Sequence, residues 1–128
     1  MGNAKVSVSE EQIQVAIVEL LTLVQKRCQF LFFSIPNEAL GRGRDRVQNA
    51  IRMSRFKKMG LLPGAADLVL VHKGNAYFIE VKTPKGRATD SQKLFAQRAF
   101  ECGSRYVIVR SAREASRALK GWGIVKTS

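Results

Sequence analysis

The chain has 128 residues, with 22 Lys and Arg against 10 Asp and Glu, a formal charge of +12 and a single histidine. That length suits one domain, residues 1–128, with a real core, and 45% hydrophobic content excludes a chain kept disordered by its charge. A surplus of this size points to a polyanion, nucleic acid above all, while one histidine excludes sites built on several, so any metal here is expected to be an oxygen-bound Mg²⁺ or Mn²⁺.

Cys28 and Cys102 stand in no metal-like spacing, and reduced thiols in a cytosolic protein are the simpler reading. Met1 to Val8 lacks the apolar stretch of a signal peptide, and Phe30-Leu31-Phe32-Phe33 is too short to span a membrane.

Residues 10–27 read as a helix, because Ile13, Ala16, Ile17, Leu20, Leu21 and Val24 share one face. Ser7-Val8-Ser9-Glu10 has the form of a capping box at its start. Gln29 to Phe33 reads as a strand ended by Pro36-Asn37. Gly41-Arg42-Gly43-Arg44 reads as a mobile loop, and a short helix with Val47, Ile51 and Arg55 on one side is stopped by Gly60. Between Arg42 and Lys58, seven cations (Arg42, Arg44, Arg46, Arg52, Arg55, Lys57, Lys58) face one anion, Asp45. That imbalance is steep for a merely solvated face and marks the expected phosphate-contact surface, with Lys85 and Arg87 as further candidates.

Gly60 to Ala66 is a tight connector. Asp67 to His72 and Ala76 to Lys82 are strands joined at Lys73-Gly74-Asn75, both apolar on both faces as interior strands are. Thr89-Asp90-Ser91-Gln92 is a second capping box, opening a helix over 90–102 that ends at Gly103. Arg105 to Arg110 is a strand, and Ser111 caps a last helix that stops at Gly121. A strand, helix and strand over 76–110 make a parallel, right-handed crossover. The fold class expected is α/β: a mixed sheet with helices on both faces.

Three charged residues, Asp67, Glu80 and Lys82, occupy strand positions where apolar ones are expected. With Lys73-Gly74 as the turn, Asp67 lies opposite Glu80; with Gly74-Asn75 as the turn, it lies opposite Lys82. Either register brings the three groups together, whereas a three-residue turn without a bulge separates them. Two adjacent carboxylates need a compensating cation, and two carboxylates, a main-chain carbonyl and waters suit Mg²⁺. Such an ion activates water without histidine, and Lys82 could orient that water or steady phosphate charge. The plainer alternative is a salt bridge of Asp67 or Glu80 with Lys82.

At this point the chain resembles a family. Gly64-Ala65-Ala66-Asp67-Leu68, Ile79-Glu80-Val81-Lys82 and Gln92 are similar to the PD-(D/E)XK nuclease core, and more narrowly to the VRR-NUC (virus-type replication-repair nuclease) group. The likeness extends over Glu10-x-x-x-Gln14, Ile35-Pro36-Asn37, the Arg-rich segment, Gly60-x-x-Pro63-Gly64, Lys82-x-x-x-Gly86-Arg87, Ser91-Gln92 and Gly103. The combination is specific, though no single piece is. The chain departs at Ala66, where family members usually carry Pro.

The resemblance implies a restriction-endonuclease-like core and an Mg²⁺-dependent DNA endonuclease. Asp67, Glu80 and the Val81 carbonyl would be metal ligands, and Lys82 the catalytic lysine. Gln92 would help fix the lysine or the water, and Glu10 would reach the metal directly or through water. Glu10 and Gln92 have equally plain readings as capping-box partners. Glu19 is a weaker alternative to Glu10. His72 beside the turn reads as a surface residue; Phe30, Phe32, Phe33, Phe78 and Phe95 read as core. Trp122 suits either a second subunit or the core.

Short stand-alone members resemble homodimeric Holliday-junction resolvases acting in DNA repair and recombination, in a bacterial or phage-infected cell. The alternatives are a structure-selective DNA-binding protein of the same fold that cuts poorly, and, further off, an RNA- or ribosome-associated basic protein.

Overall fold

The computed structural model describes residues 7–36 and 46–126. The Gly41–Arg44 segment, with Arg42, Arg44 and Asp45, lies outside the described residues. The elements are α1 (Glu10–Val24), β1 (Leu31–Ser34), α2 (Arg46–Lys58), β2 (Leu68–His72), β3 (Asn75–Val81), α3 (Asp90–Glu101), β4 (Arg105–Val109) and α4 (Ala112–Gly121). The four strands form one mixed sheet in the order β1-β2-β3-β4. β1 and β2 pair antiparallel, as do β2 and β3, while β3 and β4 are parallel across α3. This is the expected α/β architecture, with the longest strand, β3, in its interior.

The sheet separates two apolar layers. On one face α1 and α4 pack Ile13, Ile17, Leu21, Ala115 and Leu119 against Leu68, Leu70, Ile79, Val81 and Val109. All eight of the largest fully buried side chains lie here. At about 1.5–3 kcal/mol for each such side chain taken from water, this face supplies most of the hydrophobic stabilisation. On the other face α3 brings Phe95 and Ala99 onto Ala66, Phe78 and Tyr106. The Phe78 and Phe95 rings meet edge to face at 5.0 Å. Trp122 lies on Tyr77, ring centres 4.8 Å apart, and so packs on the core.

Several local details depart from the sequence reading. The N-cap of α1 is Ser9, whose box is closed by Gln12; Ser7 and Glu10 do not form it. Ser9 wins because Gln12 sits at the third helical position, where a side chain reaches back to the cap amide. α1 ends at Val24 rather than at 27, since residues 26 and 27 tighten into bonds three residues back. α4 does stop at Gly121, as the sequence suggests, and Gly123 (φ +76°) then turns the chain.

Phe33 is 48% exposed and Leu31 59%. β1 is an edge strand, and these two residues face away from α1 and α4 over a part of the sheet that α3 does not reach. His72 is half-buried, with Nδ1 hydrogen-bonded to Gln29 O at 3.0 Å.

Candidate active site

The β2–β3 hairpin sets the register of the charged residues. Its turn is Lys73-Gly74, both with positive φ (49° and 81°), and His72 pairs with Asn75. Two left-handed residues in succession give the hairpin turn whose twist matches that of its strands. Of the two registers open in the sequence, this is the one that sets Asp67 beside Glu80. Leu68 pairs with Ile79, so Asp67, one residue before β2, stands at the level of Glu80 on the α3 side of the sheet.

Asp67 is held at both ends. Its carbonyl accepts the Ile35 N–H at 2.8 Å, and its Oδ2 accepts the Val81 N–H at 2.7 Å. The carboxylate thus replaces the ladder bond that Val81 would otherwise lack. In an extended strand the N–H and C=O of one residue point to the same neighbour, so the Val81 carbonyl faces the Asp67 side as well.

Among the described residues two charged side chains are buried, Glu80 at 3% and Lys82 at 7% exposure. Burial, above all, and then the neighbouring Asp67 carboxyl push the Glu80 pKa up to about 9, with Glu10 adding to the rise and Lys82 opposing it. Glu80 Oε1 is buried without a hydrogen-bond partner, while Oε2 accepts from Gln92 Nε2 at 3.2 Å. Gln92 is placed by its helix. Its Oε1 accepts the Thr89 N–H at 2.9 Å, closing the second capping box. Gln92 is therefore both cap and site residue.

Glu10 is the first residue of α1 and is not engaged in the cap. It lines, with Asp67, Glu80, Thr89, Ser91 and Gln92, a cavity of about 380 Å³. The opposite wall is apolar: Met53 from α2, then Leu61, Leu62 and Pro63 from the connector. The connector can lie this close to α3 because Gly64 (φ +81°) has no side chain. A Cβ there would collide with the Ser91 carbonyl and come within 2.7 Å of Gln92 N.

Asp67, Glu80, Lys82, Gln92 and Glu10 are thus gathered at one end of the sheet. α2 adds its Met53 to the cavity wall and exposes Arg46, Arg55, Lys57 and Lys58, with Arg52 half-buried. No residue of α2 is buried; Val47 and Ile51 are 68% and 57% exposed. Lys85 and Arg87 are exposed in the turn after Lys82.

Tyr106 was not foreseen as part of this region. Its hydroxyl is buried without a partner, and its pKa is raised by burial and by the fields of Glu80 and Asp67. A tyrosine in the strand read over 105–110, amid Val107, Ile108 and Val109, was the available signal, since a buried hydroxyl normally finds a partner.

No trio of His, Cys, Asp or Glu side chains converges as a ready-made metal site among the described residues. The donor set is instead two carboxylates and a main-chain carbonyl. An orphaned carboxylate oxygen beside a second carboxylate is what a hard divalent cation would satisfy, so the residues present fit Mg²⁺.

The VRR-NUC domain model matches residues 8–113. A solved structure described as a VRR_NUC domain protein superposes with a TM-score of 0.66 at 18% identity, covering 90% of this chain and 88% of that one. A search of curated proteins gives no significant match. With the family model spanning most of its length and its characteristic carboxylates side by side, the chain belongs to the VRR-NUC domain family of nucleases.

Proposed function

We propose that the protein is an Mg²⁺-dependent, structure-selective DNA endonuclease that hydrolyses phosphodiester bonds at branched DNA, with the four-way Holliday junction as its substrate and a homodimer as its working form. The observation that carries this is the pairing of Asp67 with Glu80 next to buried Lys82, in a cavity bordered by the basic helix α2.

Asp67, Glu80 and the Val81 carbonyl are the groups that would hold Mg²⁺, with Glu10 reaching it directly or through water. When bound, the ion supplies Lewis acidity toward a phosphate oxygen and lowers the pKa of water. The chain's own residues do the rest. Gln92 donates to Glu80 Oε2 and so keeps that carboxylate turned toward Asp67. The Val81 N–H holds Asp67 in the same way. Lys82, whose charge already acts on Glu80, is placed to orient the attacking water or to offset charge gathering on the phosphate. Exposed cations of α2, together with Lys85 and Arg87, contact the backbone, which favours DNA shape over base sequence.

One such site cuts one strand, and a twofold dimer would offer two sites to a twofold junction. Ala66, the departure from the family pattern, is fully buried against α3, and Asp67 still reaches Val81 N. This supports cleavage over binding alone.

The test is incubation of a labelled four-way junction and a matching duplex with Mg²⁺ or with EDTA. Junction cleavage that needs Mg²⁺ and is lost in Glu80→Ala is expected. Cleavage that survives EDTA or the substitution sinks the mechanism, and binding without cleavage in Mg²⁺ and Mn²⁺ moves the protein to the non-cutting alternative.

A further inference from the structure

The turn that follows Lys82 is gripped from the neighbouring strand. Gly86 N–H donates to Thr83 O at 3.0 Å, closing Thr83-Pro84-Lys85-Gly86 into a turn with Pro84 at the position its fixed φ suits. Arg110, the first residue after β4, sends its Nη1 to two carbonyls of this turn, Thr83 O at 2.5 Å and Gly86 O at 2.7 Å. Both ends of the turn thus converge on one nitrogen.

Arg110 is itself fixed. Its N–H donates to Glu114 Oε1 at 3.0 Å, and Glu114 is anchored at the start of α4 by the Ser111 hydroxyl. Lys82 N–H donates to Val109 O at 3.0 Å, so the strand carrying Lys82 and the strand carrying Arg110 are joined one residue away. In a chain with 22 cationic side chains, this one is half-buried and directed at main-chain carbonyls of the protein. A hydrogen bond from a charged donor is worth more than a neutral one, so the grip restrains the turn strongly. Lys85 and Arg87, either side of Gly86, are exposed.

We infer that Arg110 is a positioning residue: by clamping the Thr83–Gly86 turn it presents Lys85 and Arg87 to phosphates of the substrate beside Lys82. This rests on the nuclease reading of the site. Arg110 acts from inside the protein and makes no contact with DNA.

The test compares wild type, Arg110→Met, Arg110→Lys, the Lys85→Ala/Arg87→Ala pair, and the pair combined with Arg110→Met. Junction affinity is measured across roughly 50–200 mM salt, where each phosphate contact contributes about 0.9 to the log–log slope. Ca²⁺ replaces Mg²⁺ in these titrations, and steady-state cleavage is measured in Mg²⁺. Arg110→Met is expected to weaken binding several-fold, flatten the slope by as much as the pair does, and add nothing to the pair. Its loss in cleavage should appear in KM more than in kcat. Arg110→Lys keeps the charge on a side chain one atom shorter, which reaches the two carbonyls less well, and should fall between; the same slope is read from it if the Met variant does not fold.

An unchanged slope, or losses that add to those of the pair, overturns the inference. Additive losses would mean that Arg110 touches DNA itself. A wild-type protein that neither binds nor cuts the junction refutes the nuclease reading instead, and the two failures are thereby distinct.

Discussion

The side-chain amide of Gln92 is divided between helix and site: its Oε1 accepts the Thr89 N–H at 2.9 Å while its Nε2 donates to Glu80 Oε2 at 3.2 Å. The two roles can be separated. Thr89→Ala removes the cap hydroxyl and should cost about 1 kcal/mol of stability, with cleavage within a few-fold of wild type. Gln92→Ala should cost a similar amount of stability and also lower cleavage by about 10–100-fold, the usual loss when a group orienting a metal ligand is removed. Thermal melts and single-turnover cleavage read the two effects. Equal losses of activity in both variants would place Gln92 in the cap alone.

Glu80 opposes folding as well as serving the site. Folded, it keeps its proton up to about 9, whereas in the unfolded chain it releases that proton near 4.5. Between those values the folded state binds more protons, so metal-free stability should fall as pH rises from 5 toward 9. Mg²⁺ should raise Tm most at the alkaline end of this window. Glu80→Gln should flatten the profile, melt higher than wild type at pH 8 without metal, and lose cleavage by at least about a hundredfold. A wild-type Tm that climbs with pH across this window contradicts the arrangement.

Tyr106 places a partnerless hydroxyl under α3 in the field of two carboxylates. A buried hydroxyl without a partner costs about 1–3 kcal/mol, and Tyr106→Phe keeps the ring contact with Phe95. The variant should therefore melt higher than wild type in metal-free buffer and cleave within about threefold of it. A lower Tm would show that the hydroxyl has a partner, such as an ordered water.

Gly64→Ala meets two obstacles: a positive φ and the Ser91 carbonyl. The first alone is worth about 1–2 kcal/mol. The second has to displace the first turn of α3, and Gln92 with it. Stability should fall by about 2 kcal/mol or more, and the remaining folded protein should cleave more slowly per molecule. Gly60→Ala, with nothing near its Cβ, should cost stability only.

The carboxylate pair was legible in the sequence because strand alternation puts the charged residues on one face in either register that a two-residue turn allows. The choice between registers was not, since it depends on Lys73 accepting a left-handed conformation that its type seldom adopts. Alternation likewise identifies which face Leu31 and Phe33 occupy but not whether a helix covers it, hence the misplacement of Phe33 in the core. Ser7 and Ser9 offer competing caps, and only the backbone separates them. Arg110 left no trace at all: a guanidinium that binds main-chain carbonyls needs no particular residue opposite it.

The sheet keeps its large buried residues on the α1 and α4 side and its carboxylates on the α3 side. Glu10 aside, the chemistry therefore borrows little from the layer that holds the molecule together. Substitutions under α4 should change how much protein is folded while leaving the turnover of each folded molecule alone. Such a division gives a VRR-NUC domain room to change what it binds while keeping its fold.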